Sequence, residues 1–234
     1  MLQIYKMTEE YFDKHAHILC YESDYSRAYI AYNLLTHSGE IFKGARCIKE
    51  VDRLKRSTSN GNGQLLYEEI HEFIFDSLVD KARIIICFEN YIKGILIEHG
   101  YIAHKLTGAM PGHKQLKQHQ SKQPVRTCDI FNSTSFDNLD QKSEDQIEVA
   151  VYTLPFSTLL RKGYTDVAGL PIAIIQDLTE LNQERNKLHF TSSTTFEYCG
   201  LYTARYDRLN TYFDETILPT IYHLQRKLEM LRGA

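Results

Sequence analysis

Between residues 65 and 99, apolar side chains return at the three- and four-residue steps of a helix. Leu66, Ile70, Phe73, Ile74, Leu78, Ile85, Phe88, Ile92 and Ile95 form the stripe, and Glu and Lys fill the positions between them. The pattern predicts one long helix, closed by Gly100 as its C-cap. An earlier helix is expected from Thr8, where Thr-x-Glu-Glu has the form of an N-cap with early acids, towards Cys20. A second starts near Ser23 and runs to about Arg56, with Tyr25, Tyr29, Tyr32 and Leu35 on one face and Gly39 and Gly44 weakening its middle. The polar, turn-forming residues 57–63 break the chain before the long helix.

Periodicity is lost from residue 104 to about residue 146, where Gly, Pro, Ser, Asn and Gln recur, so a long irregular insertion is expected there. Order returns at residues 149–160. Pro171 then suits the first turn of a helix that carries Ile174, Ile175, Leu178, Leu181 and Leu188 inward. A last helix spans about residues 196–231, with Pro219 marking a kink or break. The fold class that follows is all-α, a bundle of about five helices. A single domain over residues 1–234 fits the length, with N-terminal helices 8–56 packed on a core of residues 65–231 and the polar loop 104–146.

Composition narrows the setting. The charged share of 24% is too low for a disordered chain, and a net charge of -3 argues against a strongly basic nucleic-acid coat. Sixteen Tyr and eleven Phe with no Trp favour half-buried helix faces and interfaces. The N-terminus lacks the basic-then-apolar pattern of a signal peptide, and no apolar run is long enough to span a bilayer. Five widely spaced cysteines with no CxxC pair read as reduced thiols. A cytoplasmic protein with no membrane partner is expected.

One short segment carries readable chemistry. Arg185 and His189 lie four apart, which on a helix places them on one face with Cβ atoms roughly 6 Å apart. A guanidinium offers a permanent positive fork to phosphate, and an imidazole exchanges a proton near neutrality. Together they form a minimal unit for breaking an RNA phosphodiester without a metal. His189 is the acid/base, Arg185 holds the phosphate in its transition state, and Asn186 orients the pair. Lys187 adds positive charge beside them. The opposing reading makes Arg185 a surface cation paired with Asp177, Glu180 or Glu184.

An Arg, a polar residue and then a His, late in a helix of an all-α protein, resembles the signature of the HEPN family, the higher-eukaryote and prokaryote nucleotide-binding domains. Residues 154–156, 170–171 and 182–190 share the family's cadence, a short helix and a turn leading into the motif helix. The Arg-to-His spacing here is shorter than the family's usual one. The resemblance implies a homodimer whose two motifs face each other across a shared cleft. It also implies metal-independent RNase activity, as in toxin–antitoxin or anti-phage defence systems, with an inhibitory protein partner in some of these. Other members are catalytically silent interaction or nucleotide-binding modules.

Elsewhere, no acid lies between Glu98 and Asp129, while Lys105, Lys114, Lys117, Lys122 and Arg126 do. Lys114, Lys117, Lys122 and Arg126 are candidate contacts to an RNA backbone, although a solvated loop is the commoner outcome for such a run. His113 with His119, and His15 with His17, lack the neighbouring Cys or carboxylate that zinc ligation requires. The glycines of residues 60–63 match no phosphate-cradling loop. No metal and no cofactor are expected.

Overall fold

Among the described residues helices form where the stripes place them; the expected continuation of the second helix to Arg56 lies, beyond residue 44, outside the described residues. In the computed structural model, α1 is Glu9–Leu19, α2 Asp24–Lys43 and α3 Gly63–Glu98, followed by strand β1 (His104–Thr107) and α4 (Pro111–Gln120). Strand β2 (Glu148–Thr153), α5 (Phe156–Leu159), α6 (Lys162–Val167), α7 (Ile172–Lys187), α8 (Tyr198–Tyr212) and α9 (Leu218–Gly233) complete the order. The structure describes residues 9–44, 63–108, 110–132, 135–137, 139–140, 147–187 and 198–233, of which residues 9, 12, 63–78, 185–187 and 198–204 are described by backbone alone. The chain is predominantly α-helical, and its one sheet has two strands among the described residues. None of the described helices is long and apolar enough to cross a membrane.

Helix ends follow local chemistry. Ser23 caps α2, its hydroxyl accepting the Ser26 amide at 3.0 Å. Helix α3 closes on Gly100 at φ +76, with Tyr101 N–H donating to Leu96 O at 2.8 Å and Gly100 N–H to Ile97 O at 3.0 Å. This paired arrangement satisfies the last carbonyls, and it needs a residue that tolerates positive φ.

The chain divides into two compact units. In the unit of residues 35–91 and 170–223, α3 supplies Ile84, Ile85 and Phe88, and α7 supplies Leu178 and Leu181; all five are fully buried. Phe42 stacks on Phe213 with centroids 4.4 Å apart and meets Phe88 edge-on at 6.3 Å. Each such ring removed from water contributes about 1.5–3 kcal/mol. Between α8 and α9 the helix opens into a π-turn, Phe213–Ile217, in which Leu218 N–H reaches back five residues to Phe213 O. Pro219 follows directly. Its ring crowds the carbonyl four residues back and its nitrogen donates nothing, and the widened turn just before it absorbs both defects. The break expected at Pro219 is thus a local widening inside a continuing helix.

The other unit holds residues 1–34, 92–169 and 224–234. Its core gathers Cys20, Tyr21, Ile97, Ile102, Ala103, Leu106, Val125 and Val149. The expectation of an irregular insertion over residues 104–146 is corrected here. The segment opens with β1, antiparallel to β2 through Leu106 opposite Val149, and continues into α4. Gln120 completes the edge of β1, its amide accepting Leu106 N–H at 3.0 Å and donating to His104 O at 2.8 Å. One side chain does there what a third strand would do. Gly108, at φ +129, lets the chain turn from β1 into α4 where the His113 ring leaves no room for a Cβ.

Candidate functional site

Helix α7 sorts its residues by azimuth. Ile172, Gln176, Glu180 and Gln183 define an exposed line, and Ile174, Leu178 and Leu181 a buried one. Arg185 stands seven positions beyond Leu178 and four beyond Leu181, so the helical backbone places it in register with that line. Lys187 falls four beyond Gln183, on the exposed line, and Asn186 lies between the two. The side chains of Arg185, Asn186 and Lys187, and all of His189, lie outside the described residues.

The acids that the sequence offers as partners for Arg185 have other companions. Asp177, Glu180 and Glu184 recur on one flank of α7, and Arg205 of α8 reaches all three. Its guanidinium lies 3.6 Å from Asp177 and 3.2 Å from Glu184, and it bonds to Glu180 as well. Arg208 grips Asp177 with two bonds of 2.9 and 2.7 Å, and Lys81 of α3 meets Glu184 at 3.0 Å. Arg205 is only 8% exposed and Asp177 only 4%, so this is a buried, mutually satisfied network. Sequence reading passed over it. Its signals were the acids at steps of three and four on α7 and the Arg205-x-x-Arg208 pair on α8, twenty-one to thirty-one residues away.

The basic stretch is split by the fold. Lys114 and Lys122 are exposed. Lys117 donates to Gly108 O at 2.7 Å and so locks the turn before its own helix. Arg126 lies over the Tyr101 ring at 5.6 Å. Arg161, from just before α6, donates to Ser121 O and brings a further cation beside Lys122. No protein-family model, curated protein or solved structure matches this chain.

Among the described histidines, His104 is the one whose environment most alters its chemistry. Tyr21 OH accepts Ala103 N–H at 2.9 Å and shares a hydrogen bond of 2.7 Å with His104 Nδ1. Burial, with the charges of His17 and Lys93 behind it, pushes the imidazole down to about 4. A ring held neutral this firmly is no proton shuttle at neutral pH; its role is structural. Because the folded value lies below the roughly 6.5 of an unfolded chain, the unfolded state takes up the proton first. Stability is therefore unaffected above about pH 6.5, falls as the pH drops towards about 4, and levels off below that. The His104 contribution to that fall is on the order of 3 kcal/mol. Urea midpoints measured from pH 7 to 4 on the wild type and on His104→Gln read it out as the difference between the two curves.

Proposed function

We propose that this chain is an endoribonuclease that cuts RNA without a metal, with Arg185 and His189 as its reacting pair. The supporting observation is the register of α7, which carries Arg185 on the line of Leu178 and Leu181 and opposite the exposed line. A cation at such a position is costly unless an anion meets it. Asp177, Glu180 and Glu184 bond to Arg205, Arg208 and Lys81, and on this reading the anion that meets Arg185 is a phosphate. Four residues further on, His189 would take the proton from a ribose 2′-hydroxyl or give one to the leaving 5′-oxygen. Arg185 would neutralise the charge that builds on the phosphorus centre, and Asn186 would orient the pair. Lys187, on the exposed line, together with Lys114 and Lys122, offers salt-sensitive contacts to the RNA backbone.

On this reading the chain works in the cytoplasm as a HEPN-like homodimer, a toxin or phage-defence effector restrained by an inhibitory protein. The test incubates purified protein with RNA in EDTA, beside Arg185→Ala and His189→Ala. Cleavage that survives chelation and disappears in both variants supports the proposal. Cleavage that needs an added divalent ion, or that both variants retain, overturns it. Equal inertness of all three also overturns it and points to a non-catalytic interaction module; thermal stabilisation by a mononucleotide with RNA left intact points to a nucleotide-binding one.

A further inference from the structure

The unit that contains the sheet has a cleft of about 320 Å³ where the turn after α1 faces residues 127–132 and 136–137. Its wall is aromatic. The Phe131 ring stacks against Tyr21 with centroids 6.0 Å apart and tilts against Phe136 at 4.9 Å, and both phenylalanines are only half-buried. Tyr21 shows the cleft its ring alone, since its hydroxyl is held by Ala103 and His104.

The charges around this wall are unequal. Glu22 and Asp137 line the cleft, and both are exposed. Among the described residues, the one cation lining it, Arg27, is turned to other work: its guanidinium bonds to the Asp24 carboxylate and donates to Tyr21 O at 3.2 Å. An anion entering here would meet two carboxylates and a guanidinium already neutralised. A cation would meet two carboxylates and the negative faces of aromatic rings, a pairing that strengthens as water is displaced. The volume suits a small molecule rather than a chain segment.

We propose that this cleft binds a small organic cation, an ammonium or guanidinium carried on a flat or apolar body, separately from the RNA-cleaving site and independently of it. The apolar body would lie against Phe131 and Phe136, and the charged head would sit between Glu22 and Asp137.

Cys128 supplies a reporter, because it lines the cleft and is exposed while Cys20 and Cys87 are buried. Burial pushes the Cys20 thiol up to about 12 and the Cys87 thiol higher still, so neither competes for alkylation at neutral pH. The full-length chain is treated with iodoacetamide, and modification of the Cys128 peptide is followed by mass spectrometry with phenethylammonium, agmatine, benzoate or GMP present. Calorimetric titrations run in parallel. The expected result is saturable protection of Cys128 by phenethylammonium, and more weakly by agmatine, with none from benzoate. The double variant Glu22→Gln/Asp137→Asn changes only exposed, nearly isosteric groups and should weaken phenethylammonium binding at least tenfold with an unchanged circular dichroism spectrum. Phe131→Leu should weaken it too. Protection by benzoate or GMP in preference to the cations overturns the assignment. So does undiminished amine binding by the double variant, or the absence of saturable binding by either cation.

Discussion

Replacing Arg205 by Ala should cost about 3 kcal/mol of stability, at the lower end of the 3–5 kcal/mol typical of breaking a buried charge pair. The low end is expected because two of the three carboxylates keep a partner. Asp177 retains its two bonds to Arg208, and Glu184 retains Lys81. What is lost is the guanidinium that spans all three acids, leaving side chains only 6% and 14% exposed, at Asp177 and Glu184, to face each other's charge in a poorly hydrated place. Arg205→Lys should recover little, since a single ammonium cannot reproduce a fork directed at three carboxylates. Lys162→Ala is the control. Its pair with Asp166 has side chains 86% and 58% exposed, and its loss should cost under about 1 kcal/mol. Urea unfolding decides the matter: the Arg205→Ala midpoint should fall at an unchanged slope. A shift no larger than that of Lys162→Ala would mean that the network contributes nothing beyond a surface pair.

The second large effect belongs to the proposed chemistry. His189→Ala should slow RNA cleavage in EDTA by about 10² to 10⁴-fold, the usual contribution of one positioned acid/base. His189→Gln should be no better, because it keeps polarity and bulk and removes only the exchangeable proton. Arg185→Lys should be impaired to a lesser degree than Arg185→Ala, because it keeps the charge and loses the fork. If the pair acts in catalysis alone, these rate losses come with the urea midpoint moved by less than about 1 kcal/mol. A His189 variant that loses its fold along with its activity would speak for a structural histidine.

How much of this was legible beforehand depended on the distance over which each feature is encoded. Helix α3 could be read because every residue of its stripe and its glycine stop lie within one local window. The Ser23 start of α2 was legible for the same reason. Strand β1 was not. It has four residues in a polar neighbourhood, and its partner residues in β2 lie more than forty positions away. Its other edge is closed by the side chain of Gln120, and no composition rule signals that use of a glutamine. At the candidate site, the Arg185–His189 spacing was visible as a motif. The engagement of Asp177 by Arg205 and Arg208 was not, since a sequence shows that acids and arginines exist and leaves open which of them meet. The expected pairing of Arg185 with the α7 acids concerns a side chain outside the described residues.

The π-turn at Phe213–Ile217 acts as a phase corrector for the helix that contains it. Leu209, Phe213, Ile217 and Ile221 are all buried and lie four apart three times in succession. On an unbroken α-helix such a series would wander roughly 120° around the axis, and one surplus residue in a widened turn cancels most of that drift. A chain shortened by one residue here, through loss of Asp214 or Glu215, would gain a more regular helix and keep its alignment, because the four positions would then lie four, three and four apart and stay within roughly 60° of one another. Tightening the turn at full length would instead swing Ile217 and Ile221 by roughly 100° away from the direction that Leu209 and Phe213 face. Loss of one residue from this turn should therefore cost the helix little of its buried alignment.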